Sequence, residues 1–448
     1  MKKPLFACLL FLTSLFLPRS ALAAELSYDR YAPVWEGGPA VKDAPRSADG
    51  FKNFGRHFLV YPFELIRWPM DETLVFVEEN RIDDKAEWIY EQMKNHGFTP
   101  KVRSILGGES FGAGLDIEFL KLAGLKGRLP HTTVETKALW TLDSITDYQA
   151  KILQDQIGDT GARVGGNFRY EERGKEYFYG IGPNTSLGDG TSYRMERTTL
   201  EAVAGYDFLN TWDAAAKFSF QNVNITDGDD GRRGIIDDIF VRRRGQGIPG
   251  LAGDEIVSAA FDVKHDNRDS RELPSEGGFQ HFHVSCHKGL DNATGYLKYR
   301  AEAGHFFKVF SERRVFGMRG LVEHNDETGD REVPFFEMAR LGGYGTYPRF
   351  GDTHRGYRRD RFYDESLLLF NFEYRWNVLE YRDWRLDPAL YVDVGQVFGE
   401  WSRFQFNDFR LSYGISFRVS LEKEVVLAID IARSNEGTEF NVKTKTPF

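Results

Sequence analysis

Long runs of strict two-residue alternation limit what this chain can become more than any other feature. From Phe409 the odd positions read Phe409, Leu411, Tyr413, Ile415, Phe417 and Val419, and the even ones Arg410, Ser412, Gly414, Ser416, Arg418 and Ser420. Successive side chains of a strand point to opposite faces, so this segment has one apolar face and one polar or small one. Phe370, Phe372, Tyr374 and Trp376 form a second apolar row, opposite Asn371, Glu373 and Arg375. Val425, Leu427, Ile429 and Ile431 form a third, with Asp430 opposite, and Phe218 with Phe220 a fourth, flanked by Lys217, Ser219 and Gln221. A water-soluble sandwich also alternates, but its strands are short, with a turn about every ten residues. Here the polar rows carry bulky charges and the segments are longer. Aromatic groups such as Phe398, Trp401, Phe404 and Phe406 gather near segment ends, as interfacial girdles would.

Composition agrees with a membrane barrel. Of 448 residues, 28% are charged and 15% aromatic, and mean hydropathy is −0.46. The chain is too polar for a bundle of membrane helices and too aromatic and glycine-rich to be disordered. Beyond the N-terminus no segment has the roughly 18 uninterrupted apolar residues of a spanning helix. The expected fold class is all-β: a transmembrane antiparallel β-barrel over residues 104–448, of about 16 strands, although 14 or 18 also fit the spacing.

The first residues set the compartment. Lys2 and Lys3, the apolar stretch Leu5 to Leu17, and Ala21-Leu22-Ala23 make a cleavable secretory signal peptide over residues 1–23. Its removal takes Cys8 and leaves Cys286 without a disulfide partner in the chain. A net charge of −9 without a basic stripe excludes nucleic acid as a partner. Residues 24–103 read as a short periplasmic lead-in. It is irregular to Asp71, then has a strand at Leu74 to Val77 and a helix from Asp84 to His96. Ala86, Ile89, Tyr90 and Met93 stripe that helix, and Gly97 stops it. Loops are expected at Asp227 to Gly234, Asn267 to Gly278, Glu323 to Glu332 and Gly342 to Asp364. Gly180, Gly182, Gly342 and Gly343 are spaced like strand kinks.

Parity also places Glu373 and Asp393 on lumenal faces, since Phe372, Tyr374, Val392 and Val394 beside them are apolar. The run His354-Arg355-Gly356-Tyr357-Arg358-Arg359-Asp360-Arg361-Phe362 precedes Asn371-Phe372-Glu373-Tyr374-Arg375 and Tyr391-Val392-Asp393-Val394-Gly395. Upstream lie Ile248-Pro249-Gly250 and Asp266-Asn267-Arg268-Asp269, with Pro274 and Gly277-Gly278. Together these resemble the C-terminal barrel of BamA/TamA-type outer-membrane proteins, the bacterial surface antigen superfamily. The resemblance covers roughly Ser104 to Phe448. It implies an outer-membrane location in a Gram-negative bacterium and an Arg-Gly-aromatic motif on a long loop folded back into the lumen. Arg355, Gly356 and Tyr357 are then the loop motif, and Glu373 and Asp393 the acidic residues that face it. A guanidinium fork matches carboxylates, so Arg355 is expected to lock the loop through Glu373, Asp393 or both. His354 stands where the family favours an aliphatic residue. Insertases of this family capture clients with POTRA modules of about 75 residues by resemblance; residues 24–103 could hold at most one, and read as POTRA-less.

Phe440, Val442, Thr444, Thr446 and the terminal Phe448 share a face and can serve as the signal for the machinery that inserts barrels, with Pro447 removing one backbone donor. His281, His283 and His287 share a strand face, where an i, i+2 pair could ligate a metal, but no carboxylate or cysteine joins them on that face, since Cys286 has the opposite parity. No metal or other cofactor is expected. His265 and Ser270 lie close in sequence, yet no nucleophile elbow, phosphate-cradling loop or zinc motif occurs, so no enzyme is expected. The resemblance implies assembly or translocation of protein or lipid at the outer membrane. The partners would be a client protein, outer-membrane lipids and lipopolysaccharide, and the barrel assembly machinery for its own insertion. The competing readings are a passive pore or surface-structural barrel, and an outer-membrane lipid-modifying enzyme.

Overall fold

The computed structural model describes Trp88 and residues 92–443, apart from 106–109, 142–144, 210, 229, 231–235, 243–244, 246, 291–293, 344–353, 382–383 and 422–423. The signal peptide, the Leu74 to Val77 strand and the terminal Phe448 lie outside the described residues. Of the expected Asp84 to His96 helix, Trp88 and residues 92–95 are described as helical, and Gly97 follows with φ +88°. Residues 97–448 form one compact unit.

That unit is built from strands β1 (Phe98–Ile105), β2 (Ser110–Glu118), β3 (Thr132–Thr141), β4 (Ile145–Gln154), β5 (Ala162–Phe178), β6 (Thr191–Phe208) and β7 (Trp212–Asp227). It continues with β8 (Asp254–Asp266), β9 (Gly277–Gly289), β10 (Gly295–Val309) and β11 (Ser311–Glu327). A small hairpin of β12 (Ala339–Leu341) and β13 (Phe362–Asp364) follows, then β14 (Ser366–Trp376), the arm β15 (Leu379–Tyr381), β16 (Trp384–Phe398), β17 (Arg410–Leu421), β18 (Glu424–Ser434) and β19 (Gly437–Lys443). Setting aside the three-residue strands β12, β13 and β15, sixteen strands pair antiparallel, each with the next, β11 with β14 and β14 with β16. This is the plan of an up-and-down barrel wall. Among the described residues, β1 and β19 are not paired with each other. The wall starts at Phe98, ahead of the boundary drawn at Ser104. No helix among the described residues is long and apolar enough to cross a membrane.

The two faces of the wall differ as lipid and lumen should. Phe218, Phe282, Phe370, Phe372, Leu390, Val392, Leu411, Tyr413 and Phe417 are exposed, while Arg319, Glu323, Asn371, Glu373, Asp393, Ser412 and Arg418 are buried. One end of the wall carries long connections, including residues 328–361, and the other shorter turns, which orients the long end outward.

At the outward end the lumen is filled by an apolar plug. Phe178, Tyr193, Val223, Ile225, Tyr296 and Tyr363 pack with Phe240 and with Val333, Phe335, Phe336 and Met338 from the chain after β11. Phe178 meets Phe240, Phe335 and Tyr363 edge-on at 5.1–5.2 Å between centroids. At roughly 1.5–3 kcal/mol for each fully buried large apolar side chain, this plug is a substantial part of the fold's stability.

Three sequence expectations change in the structure. Gly180 and Gly182 are not strand kinks: they follow β5 with φ of +101° and +111°, in a turn where Ile181 bridges to Tyr363. Gly342 and Gly343 open the loop after β12 instead of bending a strand. Val425 leaves the outward row of Leu427 and Ile431, because the register with β17 slips between Val419 and Ser420 and turns Val425 inward, 5% exposed.

Candidate functional site

Residues 354–361, ahead of β13, lie in the lumen, and the pairing that leads into them is set by backbone geometry. Gly342 has φ +132° and a Cβ there would overlap the Arg358 carbonyl. Gly343 and His354 exchange two hydrogen bonds, 3.0 and 2.9 Å, which delivers Arg355 to the wall.

Arg355 is fully buried and saturated with carboxylates. Its backbone amide and Nε both donate to Asp393 Oδ2 at 2.9 Å, Nη2 donates to Asp393 Oδ1 at 2.6 Å, and Nη1 donates to Glu373 Oε2 at 3.0 Å. The guanidinium lies 3.4 Å from the centroid of the Tyr391 ring. Burial opposes its charge, but Asp393 and Glu373 outweigh burial and hold its pKa above the ordinary value. Register explains the arrangement: Asn371 stands opposite Asp393 and Glu373 opposite Tyr391, so β14 and β16 offer two carboxylates on one lumenal patch. Asn371 Nδ2 donates to Asp393 Oδ1 at 2.8 Å, and Arg418 of β17 donates through Nη1 to Glu373 Oε1 at 2.6 Å.

Gly356 passes so close to β17 that a Cβ would overlap that of Ser412, whose Oγ accepts the Gly356 amide at 3.2 Å. Tyr357 donates its hydroxyl to Asn435 Oδ1 at 2.6 Å and packs edge-on against Phe362. His354, the departure from the family pattern, is fully buried between the Arg410 carbonyl, 2.9 Å from Nε2, and Ser412 Oγ, 3.0 Å from Nδ1. Burial lowers its pKa, so the ring stays neutral beside Arg355.

Several anchors were not legible in the motif. Arg359 Nη1 donates to Glu176 Oε2 of β5 at 2.9 Å. Arg361 grips Glu436 in the β18–β19 turn and Thr185 after β5, at 2.7–3.1 Å. Arg340 of β12 donates to the Phe336 carbonyl at 2.8 Å and lies over Tyr363. The density of arginines between 355 and 361 was the available signal; their partners lie far away in sequence.

The three histidines lie on one face of β9, and a carboxylate does reach them, from the neighbouring strand. Asp262 Oδ1 of β8 is 2.7 Å from His281 Nε2 and 3.1 Å from His283 Nδ1. Same-strand parity missed Asp262 because register, not spacing, brings it there. Among the described residues no group of three or more His, Cys, Asp or Glu is arranged to hold a metal. His283 Nε2 is also 2.9 Å from Ser285 Oγ, giving the contact order of a Ser-His-Asp nucleophile. Ser285 is only 3% exposed, however, and its oxygen has His287 Nε2 on the other side at 2.8 Å, which leaves no approach for a carbonyl carbon. His265 bonds Gln280, and Ser270 Oγ accepts the Leu273 amide, so those two do not meet. Phe440 projects from β19 with 63% exposure, and Val442 lies on the same strand.

Comparison with known proteins agrees with this architecture. The Omp85 superfamily domain matches residues 142–422. Among solved structures, BamA from Haemophilus ducreyi lacking POTRA domains 1–3 aligns with a TM-score of 0.55 and 13% identity, over 78% of this chain and 68% of that one. CdiB from Acinetobacter baumannii and CdiB from Escherichia coli align with TM-scores of 0.46 and 0.47, at 9% and 10% identity, over 78% of this chain and 59% and 62% of theirs. No curated protein matches in sequence. The BamA likeness speaks for the fold, and the domain match spans more than half of the chain: it belongs to the Omp85 superfamily, as an outer-membrane β-barrel.

Proposed function

We propose that this barrel assists assembly or translocation of protein or lipid at the outer membrane through its wall, with the Arg355 loop as a fixed strut inside. The observation that carries this reading is the filled lumen. Arg355, Arg359 and Arg361 tie the segment ahead of β13 to β5, β14, β16 and the β18–β19 turn, Arg340 of β12 holds the Phe336 carbonyl, and the apolar plug sits above them. A passive pore works through open space along its axis, whereas here the strands β1 and β19 offer the working edge. A client strand or lipid would be handled at that edge, with outer-membrane lipids and lipopolysaccharide around it. The loop then serves as an arginine lock on Glu373 and Asp393, and Phe440 and Val442 as part of the signal for the protein's own insertion.

Planar-bilayer conductance tests the reading. The intact protein should show low, intermittent conductance and Arg355→Ala a larger one. A large, steady pore in the intact protein would favour the passive channel. Depleting the protein should lower the surface level of a client; unchanged levels of every outer-membrane barrel would argue against a general insertion role.

A further inference from the structure

The turn between β8 and β9 crosses the inward mouth of the lumen. Five wall strands, β10, β11, β14, β16 and β17, separate it along the meander from β18, yet Leu273 packs against Val425 and Ala428 of β18 and is 2% exposed. Glu272 Oε2 accepts the Val425 amide at 3.1 Å, and Arg375 of β14 donates to the Pro274 carbonyl. Val425 is available there because the β18 register slip turns it inward.

The turn is braced from within. Asp269 accepts the Ser275 amide and hydroxyl at 2.7 Å and the Glu276 amide at 3.2 Å. Asn267 Oδ1 accepts the Gly278 amide at 2.8 Å, and Arg268 forks onto Asp266 while covering Phe279. Gly277 has φ +86°, and a Cβ there would overlap Asn267. So built, the segment presents Leu273 as a preformed knob and Val425 with Ala428 as its seat.

Arg375 also connects this contact with the loop above. Its Nη1 lies 3.9 Å from Glu373 Oε1, and Glu373 is one of the two carboxylates that hold Arg355. We propose that residues 267–276 form a strap that closes the inward mouth, and that strap and Arg355 loop hold each other shut through Glu373 and Arg375. The physical reason is competition. While Arg355 and Arg418 together satisfy Glu373, Arg375 serves the neutral Pro274 carbonyl. When Arg355 leaves, Glu373 keeps Arg418 alone and has an acceptor position open, so it draws Arg375 into an ion pair that the neutral Pro274 carbonyl cannot match, and the strap is released. In the other direction, a displaced strap frees Arg375 to take Glu373 and weakens the hold on Arg355.

Thiol accessibility reads this directly in the full chain with Cys286→Ser. Ala428→Cys places a small reporter beneath Leu273, and a charged, membrane-impermeant maleimide should modify it slowly. Adding Arg355→Ala should speed modification by about tenfold or more, within the range of coupling found for residues sharing an ion-pair network. With Arg375→Ala also present, Arg355→Ala should have little further effect. Modification in the intact loop background as fast as at the exposed control Arg271→Cys would refute the strap, and a rate indifferent to Arg355→Ala would refute the coupling. If the cysteine variant does not fold, amide hydrogen exchange at Val425 in the otherwise natural chain replaces it. Arg355→Lys should accelerate exchange there, and unchanged exchange overturns the proposal.

Discussion

Arg355 shows how much one side chain can be asked to hold. Three of its bonds go to Asp393 and one to Glu373, with no water-exposed surface. Removing one partner from a buried ion pair leaves charges uncompensated, so Arg355→Ala should cost about 3–5 kcal/mol. Arg355→Lys keeps the charge but loses the planar fork, and should recover only part of that loss. The midpoint of the heat-induced mobility shift on a gel measures both, and an Arg355→Ala midpoint equal to the natural one would refute the lock. Gly356 makes a separate claim, about space. Gly356→Ala should destabilise the loop because its methyl group meets Ser412, and Ser412→Gly should restore much of the loss. Failure of that rescue would mean backbone conformation, not crowding, selects the glycine.

At the scale of strands and loops, the sequence showed what local periodicity can carry. Phe372 and Glu373 point to opposite faces because neighbouring residues on a strand must, so both the lipid face and the acidic patch were readable. Long-range register was not. Arg359 finds Glu176 across 183 residues, Asp262 joins His281 from another strand, and a single slipped pair turns Val425 around. None of these leaves a periodic trace.

The outer rim adds a prediction at the same scale. Burial, with Glu327, Asp364 and Glu400 nearby, raises the Glu365 carboxyl from 4.5 to about 7. Burial likewise raises Asp364 to about 6, against the pull of the Glu365 amide and Arg403. A carboxyl with a raised folded pKa contributes stability below its unfolded value and loses it as pH rises through the folded one. The rim around Asn325, whose amide and side chain both donate to the Glu365 carbonyl, should therefore be tightest near pH 5 and looser at pH 8. Limited proteolysis at the two pH values should show the difference in the natural chain and lose much of it in Glu365→Gln. Equal pH dependence in both would assign the effect elsewhere.

For the whole molecule, the plug and the arginine-held loop make closure a shared property of many elements. Phe335→Ala opens space among Phe178, Tyr193 and Phe336, and should cost about 3–5 kcal/mol. Because the loop keeps its own anchors, conductance should rise less than in Arg355→Ala. A larger pore from Phe335→Ala would make the plug, and not the loop, the principal barrier.

The wall itself is unevenly backed. In β3 and β4 nearly every residue is half-exposed on both faces, whereas the later part of β5 and most of β11 and β14 bury about every second residue against lumenal contents. A chain pulled from its two ends should therefore not rupture evenly. The opening strands have mainly their hydrogen-bond ladders to resist the load and should peel singly, at low force. From β5 onward the cross-lumen arginines make strands give way together, so the molecule has a mechanical grain, brittle on one side and tough on the other.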